Sequence, residues 1–270
     1  MRETSVTEQV LRHDRRLLVV LIALLFALAL VYTVFGIGMR MSALEMTAMG
    51  HMRDMPAQGV VPGVWSAGYA LLVFLMWWIM MIAMMLPSVA PTVLLQTALL
   101  RHAGKAAQMP ILTLLFLGGY LVVWAGFSAL ATGTQWALEA AGMVSATMMT
   151  LIETVPGGIV LIAAGVFQFT PLKAACLEHC RSPAKFLSER RRSGPGGVFV
   201  MGLEHGLYCL GCCWFLMALL FVGGIMNLYW IVGLAAFVAL EKLTRHGVLM
   251  GRLAGTALVA WGAWIVFNAV

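Results

Sequence analysis

Charge is what this chain has least of. Asp, Glu, Lys and Arg make up only 10% of its 270 residues, against 62% hydrophobic ones. So few charges cannot cover the apolar surface of a soluble domain this size, and that class is excluded. Cysteine is missing before Cys176 and after Cys213. A membrane protein that exports electrons needs thiols or a quinone site on the far side, and no cysteine is left to stand there. A Gly-rich phosphate loop ending in Lys and Ser or Thr is absent too, which removes a nucleotide-driven pump motor. Ser88 and Ser182 each lack a His and Asp constellation, and the carboxylates are scattered, so hydrolase chemistry has no basis.

What is present is apolar sequence in stretches of roughly twenty residues, the length that crosses a bilayer. The expected fold is an all-α, polytopic membrane bundle forming a single transmembrane domain over 1–270. About seven spans can be drawn, at 17–38, 65–87, 111–131, 155–172, 198–222, 226–240 and 248–267. The sixth is short, and Gly223 and Gly224 offer a turn for a hairpin that crosses only partly. Pro87 and Pro91 are expected to end or kink the second helix. Gly202 and Gly206, and the strip Gly247, Gly251 and Gly255, are spaced for close helix approach. The segment MRETSVTEQVLRHDRR is too long and mixed for a signal-peptide n-region, so the first span reads as an uncleaved helix.

Fifteen of the 17 Lys and Arg residues fall on one set of loops and span ends, and only Arg40 and Arg53 on the other. With seven spans, this bias places the N-terminus in the cytoplasm and the C-terminus outside. The Met-rich loop 39–64 is then extracytoplasmic, as is the segment 132–154, and the basic loop 173–197 is cytoplasmic. Topology accounts for the net charge of +6, so the expected partner is the lipid bilayer and not nucleic acid. The implied location is a bacterial cytoplasmic (inner) membrane.

All five cysteines lie in the 38 residues from Cys176 to Cys213. Cys176 and Cys180 are four apart, which puts both on one side of a helix if the fourth span continues through them. Cys209 and Cys213 repeat the spacing on the next helix, with Cys212 beside them. His179 sits inside the first pair, and Glu204 and His205 lie one turn before the second. Thiolate and imidazole donors suit Cu(I), with Zn(II) as the alternative. The competing reading is small cysteines filling apolar helix contacts. Each histidine reads as a ligand or as a hydrogen-bonded interface residue. Glu204 reads as a supporting carboxylate that balances metal charge, takes a proton from His205, or pairs with Arg181 or Lys185.

Methionine is abundant, with 20 in the chain. The outer loop carries Met39, Met41, Met46, Met49, Met52 and Met55, with His51 and Asp54 between them. Thioethers keep binding Cu(I) where thiols would be oxidised, so Met49, His51 and Met52 are candidate ligands. The alternative is an amphipathic helix burying methionines among lipid headgroups. In the second span Met76, Met80 and Met84 form one line at i,i+4, and Met81 and Met85 a shorter one. Such lines serve packing or, with Met81, Met84 and Met85 as ligands, stepping stones toward the thiols. Met143, Met148 and Met149 stand on the same side as the outer loop.

The strings MIAMMLPSVAP, FTPLKAACLEHCRSP and GLYCLGCCWFLMALLFVGGIMNLYW, with ALEK at 239–242, resemble a bacterial family of predicted metal-binding integral membrane proteins. The resemblance spans most of the region from the second helix to the sixth. It falls on Met81, Met84, Met85, Pro87, Lys173, Cys176, Cys180, Arg181, Cys209, Cys212, Cys213, Asn227, Glu241 and Lys242, and implies metal binding in a membrane. Asn227 is expected to satisfy backbone groups at a tight turn. Lys242 is expected to snorkel to the boundary, and Glu241 to approach the thiols as a supporting carboxylate.

Together these features point to a Cu(I)-binding membrane protein that moves or hands over the ion and is not an enzyme by itself. Its expected partners are a copper chaperone or a larger membrane enzyme complex. The other readings are an assembly factor or accessory subunit of a membrane copper enzyme, a membrane thiol-disulfide oxidoreductase using Cys209 and Cys212, and a scaffold without metal.

Overall fold

A computed structural model describes residues 6–36, 42–48, 63–104, 106–145 and 149–269, with side chains of 6–19, 21 and 106 excepted. The described elements are helices: α1 (Val6–Phe35), α2 (Ala43–Ala48), α3 (Ala67–His102), α4 (Met109–Ala140), α5 (Thr154–Phe167), α6 (Pro171–Arg181), α7 (Pro183–Glu189), α8 (Gly194–Ala218), α9 (Leu220–Gly223), α10 (Leu228–Leu243) and α11 (Gly247–Ala269). The all-α expectation holds, and the protein is a multi-pass membrane protein.

The expected span count and orientation do not hold. Among the described residues four helices are long and apolar enough to cross a membrane: α3, α4, the α8–α9 stretch and α11. A fifth is reached only if α5 and α6 count as one span, and these meet at 64°. The reasons are local. Thr170 caps α6 through the Lys173 amide, and Pro171 occupies the first turn, so the helix restarts in a new direction. The sixth candidate is α10, whose 16 residues extend only about 24 Å, short of a hydrocarbon core of about 30 Å. Within α1 the described apolar stretch is limited to Ile22–Phe35. The sidedness of the termini rested on an odd count of seven and lapses with it.

One further expectation is narrowed and one corrected. Of the two outcomes expected of Pro87 and Pro91, ending the helix is excluded, because α3 runs through both to His102. Each proline forgoes one backbone bond, but the stretch around them buries Leu86, Val89, Val93 and Gln96. The stretch 173–197 is largely helical, holding most of α6, all of α7 and the start of α8. Asn227 acts as expected, its side chain accepting from the Tyr229 amide at 3.0 Å to cap α10.

Close approach of backbones sets the packing. A Cβ on Gly202 of α8 would fall onto the Phe116 carbonyl of α4, and one on Gly119 of α4 onto the Phe199 carbonyl of α8. Gly165 of α5 and Gly255 of α11 face each other in the same way. With lipid outside, such contact supplies dispersion that no hydrophobic driving force replaces. The core within holds Trp77, Trp124, Phe116, Tyr120 and five methionines of α3. Gly202→Leu should therefore push α8 off α4 and destabilise the fold by about 3 kcal/mol or more. Thermal unfolding in detergent would register this as a lowered midpoint, and an unchanged midpoint would refute the packing account.

Candidate metal centre

The bend between α5 and α6 lays α6 across α8. Lys173, Leu177 and Cys180 are the buried residues of α6; at spacings of four and three they form one stripe. On α8 the corresponding stripe is His205, Cys209, Cys212, Cys213 and Leu216. All five cysteines are free thiols, and all but Cys176 are buried. Cys180 lies within hydrogen-bonding reach of the Cys209 and Cys212 thiols, and Cys213 within reach of the same two. Cys176 is half-buried, its Sγ against the backbone at Gly211, one residue before Cys212.

Cys209 is the centre of this group. Lys242 of α10 donates to its Sγ at 2.9 Å, and the Tyr120 hydroxyl of α4 shares a hydrogen bond with it at 3.0 Å. Lys242 does not snorkel as its place near a helix end suggested: it is only 5% exposed. A buried ammonium is costly without a partner of complementary charge, and a thiol sulfur is what it meets. Next along α10, Glu241 is buried and pairs with Lys173 at 2.7 Å, and Lys173 also donates to Gln168. Four elements of the fold thus converge on a polar knot inside apolar helices.

The sulfurs are not arranged as a finished coordination shell. Cys212 and Cys213 turn back onto the Cys209 carbonyl, at 3.0 and 2.9 Å, the local bond that short polar side chains make within a helix. Among the described residues no group of three or more His, Cys, Asp or Glu side chains is set to hold a metal ion. The donor chemistry nevertheless fits a soft ion, since four buried thiols lie together.

The remaining sequence candidates fall at different distances from this knot. His205 is buried among the rings of Phe116, Tyr120 and Phe186. Its Nε2 stands 3.4 Å from the Thr92 hydroxyl, and its Nδ1 has no hydrogen-bond partner among the described residues. His179 stacks on Tyr208 at 4.1 Å, with Nδ1 on the Ala175 carbonyl. Glu204 pairs with Arg192; neither Arg181 nor Lys185 takes it. Arg181 donates to the Thr244 and Arg245 carbonyls, and Lys185 pairs with Glu178 at 2.7 Å. That carboxylate holds the Lys185 ammonium above its usual range.

Both methionine lines of α3 are interior: Met76, Met80, Met81, Met84 and Met85 are at most 2% exposed. At the knot end, the Met85 carbonyl accepts a long bond of 3.5 Å from Tyr120. Toward the other end, Trp77 donates to Gln135, Gln135 to Glu139, and Trp65 to the same carboxylate, at 2.9, 3.0 and 2.9 Å. Of the second Met segment, Met143 is half-buried and Met149 buried. Of the outer loop, Met46 is buried in the core on α2. Met39, Met41, Met49, His51, Met52, Asp54 and Met55, and Met148 of the second segment, lie outside the described residues.

Sequence reasoning passed over Lys242 as a partner of sulfur, and Tyr120 and Glu139 altogether. The ALEK string was the available signal for Lys242. A tyrosine or glutamate within an apolar run was the signal for the other two.

No curated protein and no solved structure matches the chain. A family model described as "PpoB2: Copper chaperone" matches residues 74–265, a stretch that contains α4 to α10, both methionine lines, every cysteine and Lys242. Since this covers well over half of the sequence, the chain belongs to that copper chaperone family.

Proposed function

We propose that this protein binds Cu(I) at the thiols of α6 and α8 and hands it over at the membrane, without being an enzyme by itself. The observation that carries the reading is the meeting of Lys242 and Tyr120 on the Cys209 sulfur and of Cys212 and Cys213 on the Cys209 carbonyl, with Cys180 beside them. Cu(I) is content with two or three soft ligands. Rotation of Cys212 or Cys213 away from the Cys209 carbonyl frees a sulfur for it, so the thiols form a site that completes itself around the ion. Lys242 then supplies the positive charge that a thiolate-rich, ion-loaded cluster needs in an apolar interior.

The family description supports hand-over to a recipient, which makes a copper chaperone or a larger membrane copper enzyme the natural partner. The bacterial cytoplasmic membrane is the setting this reading implies. Met81, Met84 and Met85 extend the soft surface away from the thiols along α3, and Met49, His51 and Met52 are the proposed outer donors.

The direct test is titration of the purified protein with Cu(I) and Zn(II) under reducing conditions. Tight Cu(I) binding with weak Zn(II) binding is expected. Cys209→Ser should weaken Cu(I) by roughly 100-fold, about 2.8 kcal/mol. Cys176→Ser, away from the Cys209 contact, should cost less. An intact, folded protein that takes up no Cu(I) would sink the proposal.

A second measurement separates the two roles of the α3 methionines. Leu nearly conserves the volume of Met, so Met84→Leu with Met85→Leu should change stability by less than about 1.5 kcal/mol per site. If the thioethers handle the ion, the same double variant slows release of bound Cu(I) to an acceptor while the thiol affinity stays put. Unchanged release would leave these residues as packing alone.

A further inference from the structure

A cavity of about 720 Å³ opens beside the knot, between the α5–α6 bend and helices α10 and α11. Its volume is that of a small-molecule site. Leu177 and Glu241 line it, and both are buried, at 4% and 1% exposure. Behind them stand the thiols. Cys180 follows Leu177 by three residues on the same buried stripe of α6, and Lys242, on Cys209, follows Glu241 directly. The cavity therefore shares α6 and α10 with the sulfur cluster, through residues next to or one turn from Cys180 and Lys242.

The space is kept open by a particular residue. A Cβ on Gly251 of α11 would fall on the Glu241 carboxylate, so that glycine leaves room for the charged pair at the cavity floor. The electrostatics are lopsided. Glu241 is neutralised by Lys173 and Glu178 by Lys185. Arg181 spends its hydrogen bonds on neutral carbonyls, and Arg252 stands exposed at the wall. Among the described residues two guanidinium charges are left without a carboxylate partner, facing a concave, partly apolar space. Such a field repels a bare cation and attracts an anion.

We propose that this cavity receives Cu(I) as an anionic complex with small, carboxylate-bearing thiols, and is where the ion exchanges with the Cys180–Cys209 cluster. This rests on the copper reading above and adds the chemical form of the cargo. The exchange is a ligand substitution without redox change. Two copper–sulfur bonds to carrier thiolates break and two to protein sulfurs form. The protons leaving the two cysteine thiols go to the departing carrier thiolates. Copper stays Cu(I) throughout. Movement of the Leu177 and Glu241 side chains opens the way.

The test compares rates with equilibria. Cu(I) is presented to the full-length protein as its glutathione complex or its cysteamine complex, one carrying carboxylates and the other ammonium groups. Loading is followed by thiolate-to-copper absorbance, and affinity by competition with a chelator. Wild type should load from the glutathione complex roughly tenfold faster, with the preference fading as salt rises. Arg252→Gln should shrink that preference. Ala174→Phe, on an exposed cavity-wall position of α6, should slow loading from both carriers without changing the affinity. Ala184→Phe fills a different cavity of about 390 Å³ between α3, α7 and α8, and should load at the wild-type rate. Equal rates for both carriers, or a wild-type rate in Ala174→Phe, would overturn the proposal. A wild type that binds no Cu(I) at equilibrium would overturn the copper reading instead, so the two failures are told apart.

Discussion

The contact on which the rest of this structure depends is the 2.9 Å bond from the Lys242 ammonium to the Cys209 sulfur. A lysine buried among membrane helices must find compensation or it destabilises the fold by several kcal/mol. Here the compensation is a thiol that also draws Tyr120, Cys180 and Cys213 toward it. Two consecutive residues of α10 divide the work: Glu241 faces Lys173 and the cavity, and Lys242 faces the sulfurs. Both charge pairs lie in the same small volume, so changing one alters the field at the other. This coupling ties α6, α8 and α10 together more firmly than their apolar contacts alone.

Close packing makes that contact possible. Glycines at 119 and 202 bring α4 against α8, which carries Tyr120 to Cys209. Gly165 and Gly255 bring α11 against α5. The 64° break after Phe167 then turns α6 so that Lys173, Leu177 and Cys180 look inward together. Had α5 and α6 formed one straight rod, the thiols of α6 would have continued along the α5 axis. The break is thus a device for assembling a polar site, and its cost in backbone bonds is offset by the Thr170 cap and by Pro171, which has no donor to lose.

Binding of a soft ion, as proposed, and membrane packing would call on the same residues. Methionine fills irregular gaps and offers a soft donor, so the buried lines of α3 serve the core whether or not they serve the ion. Met46 is instructive, because a residue expected on an outer surface is part of the interior on α2, beside the start of α10. The thiols are less ambiguous. Packing alone gives no reason for four of them to meet beside an ammonium, a tyrosine and a second charge pair.

The sequence by itself determined the class of the molecule and where its thiols gather. Apolar runs can only be helical in a bilayer, and the spacings Cys176–Cys180 and Cys209–Cys213 project thiols to one side of each helix. It also held the Thr170–Pro171 signal for a helix restart, though hydropathy alone merged that restart into one span. Only the tertiary structure decided how many helices have the length to cross, because an apolar run does not report where a helix bends or how neighbours cover it. The ALEK string marked Lys242, but its partner was likewise not legible in the chain. A lysine at a helix end reaches for water or for a buried partner according to what stands opposite, and Cys209 stands 33 residues away in sequence. The same holds for Glu204 and Arg192, His179 and Tyr208, and the cavity beside Glu241. Each is a meeting of elements, and spacing within one element carries no information about it.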